Sequence, residues 1–195
     1  QNNKYDTLYA VSRKPLGFKN DKLINIVADQ NTIENYIKDI HVDHFFNCLG
    51  TTKSKTPDPK EYYKIDLEYP IEVAKALKEN GCNNINIVSS IGTNPQSKNF
   101  YLRLKSDMET AFINLNFSST SIFRPSILLG KRNEKRFLED ISKAIMHIIN
   151  FFLIGNLRNY KSIKAKTVAT AMVNIALSNK LGTHIYLTEE IKKNT

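Results

Sequence analysis

The sequence predicts an α/β fold in which a parallel, doubly wound sheet of the Rossmann-like type is covered by helices on both faces. Two observations carry this prediction. Strand-like and helix-like segments alternate along the chain, and the early strand segments are apolar throughout rather than alternating between apolar and polar residues. Continuous apolar strands are typical of parallel sheets, because helical crossovers bury both faces. We expect one domain over residues 1–195.

Short apolar runs bounded by polar or Pro-containing segments are the predicted strands. They are Tyr5–Val11, Leu23–Ala28, His44–Cys48, Asn84–Ser89, Thr120–Phe123 and His184–Leu187. Segments with apolar residues at spacings of three and four are the predicted helices. They are Asn31–Ile40, Asp66–Asn80, Phe100–Leu115, Glu134–Phe152 and Val168–Leu177. Pro70 would then lie in the first turn of its helix, where a missing N–H is tolerated, and Gly81 just past the end.

One element of a dinucleotide-binding fold is missing from this order. Such a fold begins with an apolar strand, a Gly-rich turn and a helix, yet no glycine precedes Gly17. The first predicted strand instead starts within a few residues of Gln1. We therefore expect that the first β-α unit is absent from this chain and that the natural protein carries about 20–25 further N-terminal residues, enough for a strand, a turn and a helix.

The formal net charge of +9 favours anionic partners in general: nucleic acid, a phospholipid surface or a phosphorylated small molecule. The basic residues are not gathered in one dense tract, and no nucleic-acid-binding motif is present. A solvated, Lys-rich surface is the simpler interpretation, and we predict no specific nucleic-acid partner. The longest apolar stretch, Ile145–Ile154, falls short of the roughly 20 residues that a membrane-spanning helix needs.

Cysteine and histidine give no sign of a metal site. Cys48 and Cys82 form no ligand motif, and no histidine has a partner at metal-ligand spacing. We predict no metal. Two free thiols and the absence of a visible signal peptide are typical of a reducing compartment, so a cytoplasmic location is expected.

The candidate chemistry lies where predicted strands end. Ser89 and Ser90 end one strand, and Tyr101 and Lys105 open the helix that follows. A spacing of four puts the latter pair on one helical face, about 6 Å apart at Cβ. A phenol titrates at about pH 10, and a nearby ammonium stabilises the phenolate. A hydroxyl such as that of Ser90 can hold a substrate oxygen while Tyr101 gives or takes the proton.

The Tyr-x-x-x-Lys spacing arises by chance in many helices, but its order after a Ser-Ser strand end in a parallel α/β pattern is much more specific. On these residues the chain resembles the short-chain dehydrogenase/reductase superfamily in its atypical branch. It is similar there to the Tat-interacting protein group of oxidoreductase-like proteins and their bacterial relatives. The segments that carry the resemblance are Asn47–Thr52, Val88–Ser90, Tyr101–Lys105 and Phe123–Pro125.

The resemblance implies roles for individual residues. Ser90, Tyr101 and Lys105 match the catalytic set, with Ser89 as the alternative serine, and Lys105 would also contact the nicotinamide ribose. Further positions match the family's dinucleotide-binding segments: Asp29 near the adenine, Asn47, Leu49 and Gly50 under the adenosine and ribose, and Pro125, Ser126 and Ile127 facing the nicotinamide. Residues 131–195 match the variable, substrate-side region, in which no residue identifies a ligand.

The end of the first predicted strand bears on the choice of cofactor. NAD enzymes usually carry Asp or Glu there to bind the ribose 2′-hydroxyl, whereas this chain has Ser12, Arg13 and Lys14. A guanidinium can bind a 2′-phosphate through two parallel hydrogen bonds. We therefore predict NADP(H) in preference to NAD(H); the alternative is an exposed basic turn without a ligand.

Two functions remain open at this point. One is an NADP(H)-dependent oxidoreductase that acts on a small carbonyl or alcohol substrate through Ser90, Tyr101 and Lys105. The other is a non-catalytic dinucleotide-binding module that regulates or contacts another protein. Phe151–Ile154 is interpreted as core or as the wall of a hydrophobic pocket, with a membrane contact or a homodimer face as the alternatives.

Overall fold

The computed structural model describes residues 4–29, 31–129 and 155–195. Its strands, in chain order, are β1 (Leu8–Ser12), β2 (Leu23–Val27), β3 (His44–Asn47), β4 (Asn84–Val88), β5 (Ser119–Arg124), β6 (Leu128–Leu129), β7 (Ile163–Lys164) and β8 (Gly182–Leu187). Its helices are α1 (Glu34–Ile37), α2 (Pro59–Tyr63), α3 (Tyr69–Glu79), α4 (Phe100–Asn114), α5 (Ala165–Leu177) and α6 (Thr188–Lys193). A π-helical turn spans Lys64–Glu68 between α2 and α3, and a 3₁₀ helix spans Gly155–Tyr160.

Every strand pair is parallel, which confirms the predicted fold class. β3, β4, β5 and β8 form a four-stranded sheet in that order, while β1 pairs with β2 and β6 pairs with β7. The chain before β1 reaches β3, since the Tyr5 hydroxyl is 2.9 Å from Nδ1 of His44. Among the described strands, however, none pairs with both β1 and β3.

Helices cover both faces of the four-stranded sheet. On one face, buried side chains of α3 and α4 pack against β4 and β5; they include Ile71, Ala74, Leu77, Met108, Phe112, Ile85, Ile87 and Ile122. On the other face, α5 packs against Phe123 through Val168, Ala171, Met172 and Ile175. Fully burying one such side chain contributes about 1.5–3 kcal/mol, so these two layers fix the strands whose ends carry the candidate site.

The helix predicted over Asn31–Ile40 is much shorter than expected, because only Glu34–Ile37 is α-helical. Side-chain hydrogen bonds explain its end. The Asn80 amide donates to the carbonyl oxygens of Ile37 and Ile40, at 2.9 and 3.0 Å, so these carbonyls bond across to α3 instead of continuing the helix. Apolar spacing predicted the buried face here but not its length.

The prediction that a helix starts at Asp66 is wrong, because the helical segment already begins at Pro59. Asp58 caps it, accepting the Lys60 N–H at 3.0 Å. Pro70 is the second residue of α3 and so lies in the first turn of that helix, as predicted, where its missing N–H is tolerated. Between α2 and α3 the chain forms the π-helical turn that carries Asp66.

The remaining differences concern short elements. The sequence reasoning missed β6, β7, the 3₁₀ helix and α6, each too short for a clear periodic pattern. The last predicted helix and strand begin earlier than expected, at Ala165 and Gly182. The helix predicted over Glu134–Phe152 and the apolar segment Phe151–Ile154 lie outside the described residues. The single-domain division of the chain, with its variable region 131–195, stays a prediction.

Candidate dinucleotide and catalytic site

The candidate residues gather at the carboxyl edge of the parallel sheet. β3 ends at Asn47, β4 at Val88 and β5 at Arg124, and parallel strands bring these ends to one edge. In open α/β sheets, ligands bind in the crevice beyond this edge. The loops that follow these three strands therefore frame the place where a ligand would lie.

Tyr101 and Lys105 lie on one face of α4, as their spacing predicts. The helix is capped by Asn99, whose side chain accepts the Tyr101 N–H at 2.9 Å. The Lys105 ammonium lies 5.8 Å from the centroid of the Tyr101 ring. The tyrosine is half-buried, whereas the lysine side chain is only 5% exposed.

A buried carboxylate that the sequence reasoning missed holds Lys105. Oδ2 of Asp66 lies 2.9 Å from the ammonium, and the side chain of Asp66 has no exposed surface. Oδ1 of the same carboxylate accepts the Thr51 N–H at 2.7 Å. Asp66 thus joins the loop after β3 to α4. Its distance in sequence from both partners gave no signal that could have identified it.

Gly50 leaves room for this cluster. A Cβ atom at this position would lie 3.6 Å from Oδ2 of Asp66 and 3.9 Å from the ammonium of Lys105. The backbone of the loop after β3 therefore runs directly past the ion pair, and a larger side chain than a methyl group would meet it. Leu49 and Gly50 are themselves exposed, so this loop has one side against the ion pair and one side open.

The two candidate serines have different environments. Ser89 is buried, and its hydroxyl donates to Oε1 of Glu109. Ser90 is half-buried, and among the described residues its hydroxyl makes a local bond to the carbonyl oxygen of Ile91 at 3.2 Å. Because the Ser89 hydroxyl already serves a buried carboxylate, this geometry favours Ser90 as the hydroxyl that could turn to a substrate.

Glu109 belongs to a second buried ion pair beside the first. Its carboxylate accepts from Nε and Nη2 of Arg124, at 2.9 and 2.5 Å. Hydrogen bonding to Glu109 raises the pKa of the Arg124 guanidinium above its usual value. The sequence contained a signal for this acid, since Tyr101, Lys105 and Glu109 follow one another at spacings of four along α4.

Asn47, at the end of β3, has an unsatisfied donor. The residue is 3% exposed, and its Oδ1 accepts the Leu49 N–H at 3.1 Å. Nδ2 is buried and has no hydrogen-bond partner among the described residues. A buried donor without an acceptor costs about 1–3 kcal/mol. An acceptor on a ligand in this crevice would remove that cost, which fits a polar cofactor.

The basic turn after β1 is held from the side by Asn25 on β2. Nδ2 of Asn25 donates to the Ser12 hydroxyl at 2.8 Å, and Oδ1 accepts the Leu16 N–H at 2.9 Å. The Ser12 hydroxyl in turn donates to the carbonyl oxygen of Lys14 at 2.8 Å. Arg13 is exposed at the tip of this fixed turn.

Asp29 follows β2 and is used in a local turn. It is exposed, and its Oδ1 accepts the Asn31 N–H at 2.9 Å and both the N–H and the hydroxyl of Thr32. The hydrogen bond from the Asn31 backbone, followed by that from the Thr32 side chain, lowers the pKa of Asp29 below its usual value. The carboxylate is therefore already partnered at the start of α1.

The segment predicted to face a nicotinamide, Pro125–Ile127, is braced by three backbone contacts. They are Ile91 N–H to Pro125 O (3.0 Å), Ile163 N–H to Ile127 O (3.0 Å) and Ser126 N–H to the Thr188 hydroxyl (3.1 Å). The Ser126 hydroxyl also donates to the Lys161 carbonyl. The segment is thus tied to the loop after Ser90 and to the C-terminal part of the chain.

A cleft of about 760 Å³ opens beside this segment. Its lining combines apolar, hydroxyl, amide and guanidinium groups from the loop after β4, the end of β5 and the C-terminal part: Ile91, Gly92, Thr93, Asn94, Pro95, Arg124, Asn159, Tyr160 and Leu187. The loop after β4 begins at Ser89, and Ser90 directly precedes Ile91, so the candidate hydroxyl lies next to the cleft along the chain.

Within residues 4–29, 31–129 and 155–195, no group of three or more His, Cys, Asp or Glu side chains could hold a metal ion. No helix in the described part of the chain combines the length and the apolar character that crossing a membrane requires.

Several proteins are similar to this chain in sequence. The chain is 32% identical to "Protein FMP52, mitochondrial" of Candida glabrata over 175 residues, which are 89% of this chain and 75% of that protein. It is 30% identical to "Protein HTATIP2" of Rattus norvegicus over 138 residues, which are 69% of this chain and 57% of that protein. The chain thus spans little more than half of the rat relative's length. No protein-family model matches.

Solved structures share the fold at low sequence identity. MoeE5 in complex with UDP-glucose and NAD superposes with a TM-score of 0.66 and 16% identity, covering 95% of this chain and 71% of that one. RMD from Pseudomonas aeruginosa, complexed with NADPH, superposes with a TM-score of 0.58 and 13% identity, covering 88% of this chain and 72% of that one. The fold is therefore that of proteins that bind a nicotinamide dinucleotide.

The expected cytoplasmic location is wrong, because FMP52 proteins from Candida glabrata, Debaryomyces hansenii and Saccharomyces cerevisiae all carry the word mitochondrial in their names. Free thiols and the lack of a visible signal peptide were too weak to distinguish one reducing compartment from another. The family itself was identified correctly from the Ser-Ser, Tyr-x-x-x-Lys and Arg-Pro segments. The chain belongs to the FMP52 family, within the atypical short-chain dehydrogenase/reductase superfamily.

Proposed function

We propose that the protein is an NADP(H)-dependent oxidoreductase that acts on a small carbonyl or alcohol substrate. One observation carries the proposal: the Lys105 ammonium lies 5.8 Å from the Tyr101 ring and beside the Gly50 backbone, at the edge of the sheet where ligands bind. This brings a candidate proton donor and a fixed cation together with the loop after β3. Ser90 lies in the loop after β4, the next loop along that edge.

The roles of the three residues follow from their chemistry. The Tyr101 hydroxyl would give a proton to, or take one from, the substrate oxygen, and the Ser90 hydroxyl would hold that oxygen in place. Lys105 would orient Tyr101 and bind ribose hydroxyls with the donors that its ammonium has left over. The nicotinamide supplies the hydride when it is bound.

The donor set fits a dinucleotide. The unpartnered Nδ2 of Asn47 provides a buried donor at the end of β3, and Gly50 allows a ligand to approach the backbone closely. Arg13 is exposed at the end of β1, where a 2′-phosphate would lie. The guanidinium and the lack of a nearby acid in Ser12–Lys14 support NADP(H) over NAD(H).

Strand order supports the idea that the natural protein has one more β-α unit. In the common dinucleotide-binding order, the first strand lies in the middle, between the second and the fourth, and is followed by the Gly-rich turn. In that order β2 would match the third strand and β1 the second. The next three strands of this chain, β3, β4 and β5, would match the fourth, fifth and sixth. The place between β1 and β3 is then that of the first strand. An intact mass of 22.3 kDa for the native protein would contradict this proposal.

The cleft beside Pro125–Ile127 is the candidate substrate site. Thr93, Asn94, Asn159 and Tyr160 offer hydroxyl and amide groups, and Arg124 offers a guanidinium, against walls of Ile91, Pro95 and Leu187. Such a lining suits a small oxygen-bearing molecule with an apolar part. By analogy with its relatives, we place the protein in mitochondria. A homodimer stays a prediction.

One observation favours the second candidate function, a non-catalytic dinucleotide-binding module. The charge of Lys105 is already compensated by the fully buried carboxylate of Asp66, which lies 2.9 Å away. A lysine whose main partner is a structural carboxylate could serve the fold without serving turnover.

The test is a titration of NADPH and of NADH into the full-length protein, followed by nicotinamide fluorescence. We expect NADPH to bind at least about tenfold more tightly than NADH, equivalent to about 1.4 kcal/mol from one phosphate contact. Absence of binding by either nucleotide would refute the proposal. If both bind, Tyr101→Phe distinguishes the two functions. An oxidoreductase loses turnover of carbonyl substrates and keeps its affinity for NADPH, whereas a regulatory module shows no turnover in either form.

A further inference from the structure

We propose that Asp66 is a positioning residue that couples the cofactor-binding loop after β3 to Lys105, so that its negative charge sets the affinity for the dinucleotide. This inference rests on the proposed function and deepens it. Neither the Tyr-x-x-x-Lys spacing nor the strand ends pointed to Asp66. Its role emerges from two contacts of its buried carboxylate and from the turn on which it lies.

The first contact is with α4. Asp66 and Lys105 are 0% and 5% exposed, so their 2.9 Å ion pair is shielded from water. A buried ammonium without a counter-charge is strongly disfavoured, and the pair depends on both members. The position of the Lys105 ammonium is therefore set by where Asp66 holds it.

The second contact is with the cofactor-binding loop. Oδ1 of Asp66 accepts the Thr51 N–H at 2.7 Å, and the Tyr62 hydroxyl donates to the Thr51 carbonyl at 3.0 Å. Both groups that hold Thr51 come from the segment Pro59–Glu68, one on each side of the residue. This fixes the backbone next to Gly50, the glycine that the ion pair approaches most closely.

The third feature is the turn on which Asp66 lies. The chain forms a π-helical turn at Lys64–Glu68, directly before α3, and Asp66 is the buried residue of that turn. π-Helical turns occur frequently at functional sites. A regular helix over the same residues would turn this side chain to a different angle around the helix axis.

The pair leaves Lys105 with capacity for a ligand. An ammonium has three donors, and the polar partners described for this one are the carboxylate of Asp66 and the sulfur of Met108 at 3.8 Å, with the Tyr101 ring 5.8 Å away. A Cβ atom at Gly50 would lie 3.6 Å from Oδ2 of Asp66 and 3.9 Å from the ammonium, so the backbone of the cofactor-binding loop borders the ion pair. Donor capacity that the ammonium keeps beside this loop would serve ribose hydroxyls of a bound dinucleotide, with Asp66 fixing the ammonium in place.

The test measures the Kd of NADPH for the full-length protein and for Asp66→Asn, Lys105→Met and the double variant. We expect Asp66→Asn to weaken NADPH binding at least about tenfold in the otherwise wild-type protein. In the Lys105→Met background the same change should alter Kd by less than about twofold, because its effect passes through Lys105. Asp66→Glu, which keeps the carboxylate, should bind more tightly than Asp66→Asn.

A matched control is Glu61→Gln, since Glu61 is a neighbouring carboxylate whose partner, Lys64, lies on the surface at 3.1 Å. It should leave Kd unchanged. If the wild type binds NADPH and Asp66→Asn binds equally well, the inference is overturned while the proposed function stands. If the wild type fails to bind, the proposed function falls and this inference with it.

The single variants carry an unpaired buried charge and could fail to fold. The double variant replaces the charge pair by two neutral groups of similar size, which folds more readily. We expect it to bind NADPH at least about tenfold more weakly than the wild type. Wild-type affinity in the double variant would overturn the inference, because the ion pair would then contribute to the fold alone.

Discussion

Glu109→Ala is expected to destabilise the protein strongly, because Glu109 lies on the buried face of α4. The residue is 4% exposed and accepts hydrogen bonds from Ser89 and, through two atoms, from Arg124. These partners end the central strands β4 and β5. The carboxylate therefore fixes the two strand ends that border the cleft, and alanine removes all of these contacts.

The magnitude follows from what the substitution leaves behind. Removing one member of a buried ion pair costs about 3–5 kcal/mol, because the other charge stays uncompensated. The Arg124 side chain is 25% exposed and can turn towards water in the cleft, which favours the lower end of that range. The Ser89 hydroxyl loses its buried acceptor, at about 1 kcal/mol. We expect a loss of about 4 kcal/mol, or roughly 8–16 °C in Tm for a domain of this size.

The assay is urea denaturation and thermal unfolding of the wild type and the variant. Glu61→Ala is the control, because it removes an exposed carboxylate that pairs with Lys64 at the surface, and its Tm should equal that of the wild type. Glu109→Leu combined with Arg124→Met should recover much of the lost stability. A Tm for Glu109→Ala within about 2 °C of the wild type would refute the reasoning, since that shift is under 1 kcal/mol.

Two further predictions concern other parts of the site. Burial raises the pKa of Tyr62 to about 12, and the charges of Asp66 and Tyr101 add to this effect. Between about pH 10 and 12 the folded protein therefore keeps a proton that the unfolded chain releases. The contribution of Tyr62 to the free energy of unfolding is therefore fully present below pH 10 and is lost as the pH rises through this window. Denaturation measured from pH 8 to 11 should show that the free energy of unfolding of Tyr62→Phe falls less steeply with pH than that of the wild type. Asn25→Ala removes the hydrogen bonds that hold the turn carrying Arg13. Titration should show that the Kd of NADPH rises about threefold to tenfold while the Kd of NADH stays unchanged. An equal loss of affinity for both nucleotides would contradict a role of this turn in phosphate binding.

The parts of the site that the sequence predicted are those encoded locally. Apolar runs located β3, β4 and β5, and the four-residue spacing put Tyr101 and Lys105 on one face of α4, as observed. Each of these patterns depends on neighbours in the chain, so a single sequence suffices. The resemblance to the superfamily added the roles, which no spacing could supply.

The parts that it could not predict depend on contacts between distant segments. The sequence predicts Asp66 as the first residue of a helix, because Pro70 is tolerated in a first turn. In the structure Pro70 does lie in the first turn of α3, but the helical segment before it begins at Pro59, and Asp66 lies on the π-helical turn between the two, paired with Lys105. The ion pair joins residues that are far apart in the chain, so no local spacing predicts it.

Two buried carboxylates give the candidate site its electrostatic character. Asp66 compensates Lys105 and Glu109 compensates Arg124, so the inner site holds fixed donors with little net charge. The net charge of +9 of the whole chain therefore comes mostly from other residues. At the proposed cofactor site the uncompensated positive charges are those of the exposed Arg13 and Lys14. A 2′-phosphate at the end of β1 would meet the charge that is not compensated, whereas the nicotinamide half would meet the neutral inner site. In the proposed function, discrimination between NADPH and NADH would then depend on the surface turn, and binding of the reacting half would depend on the buried pairs.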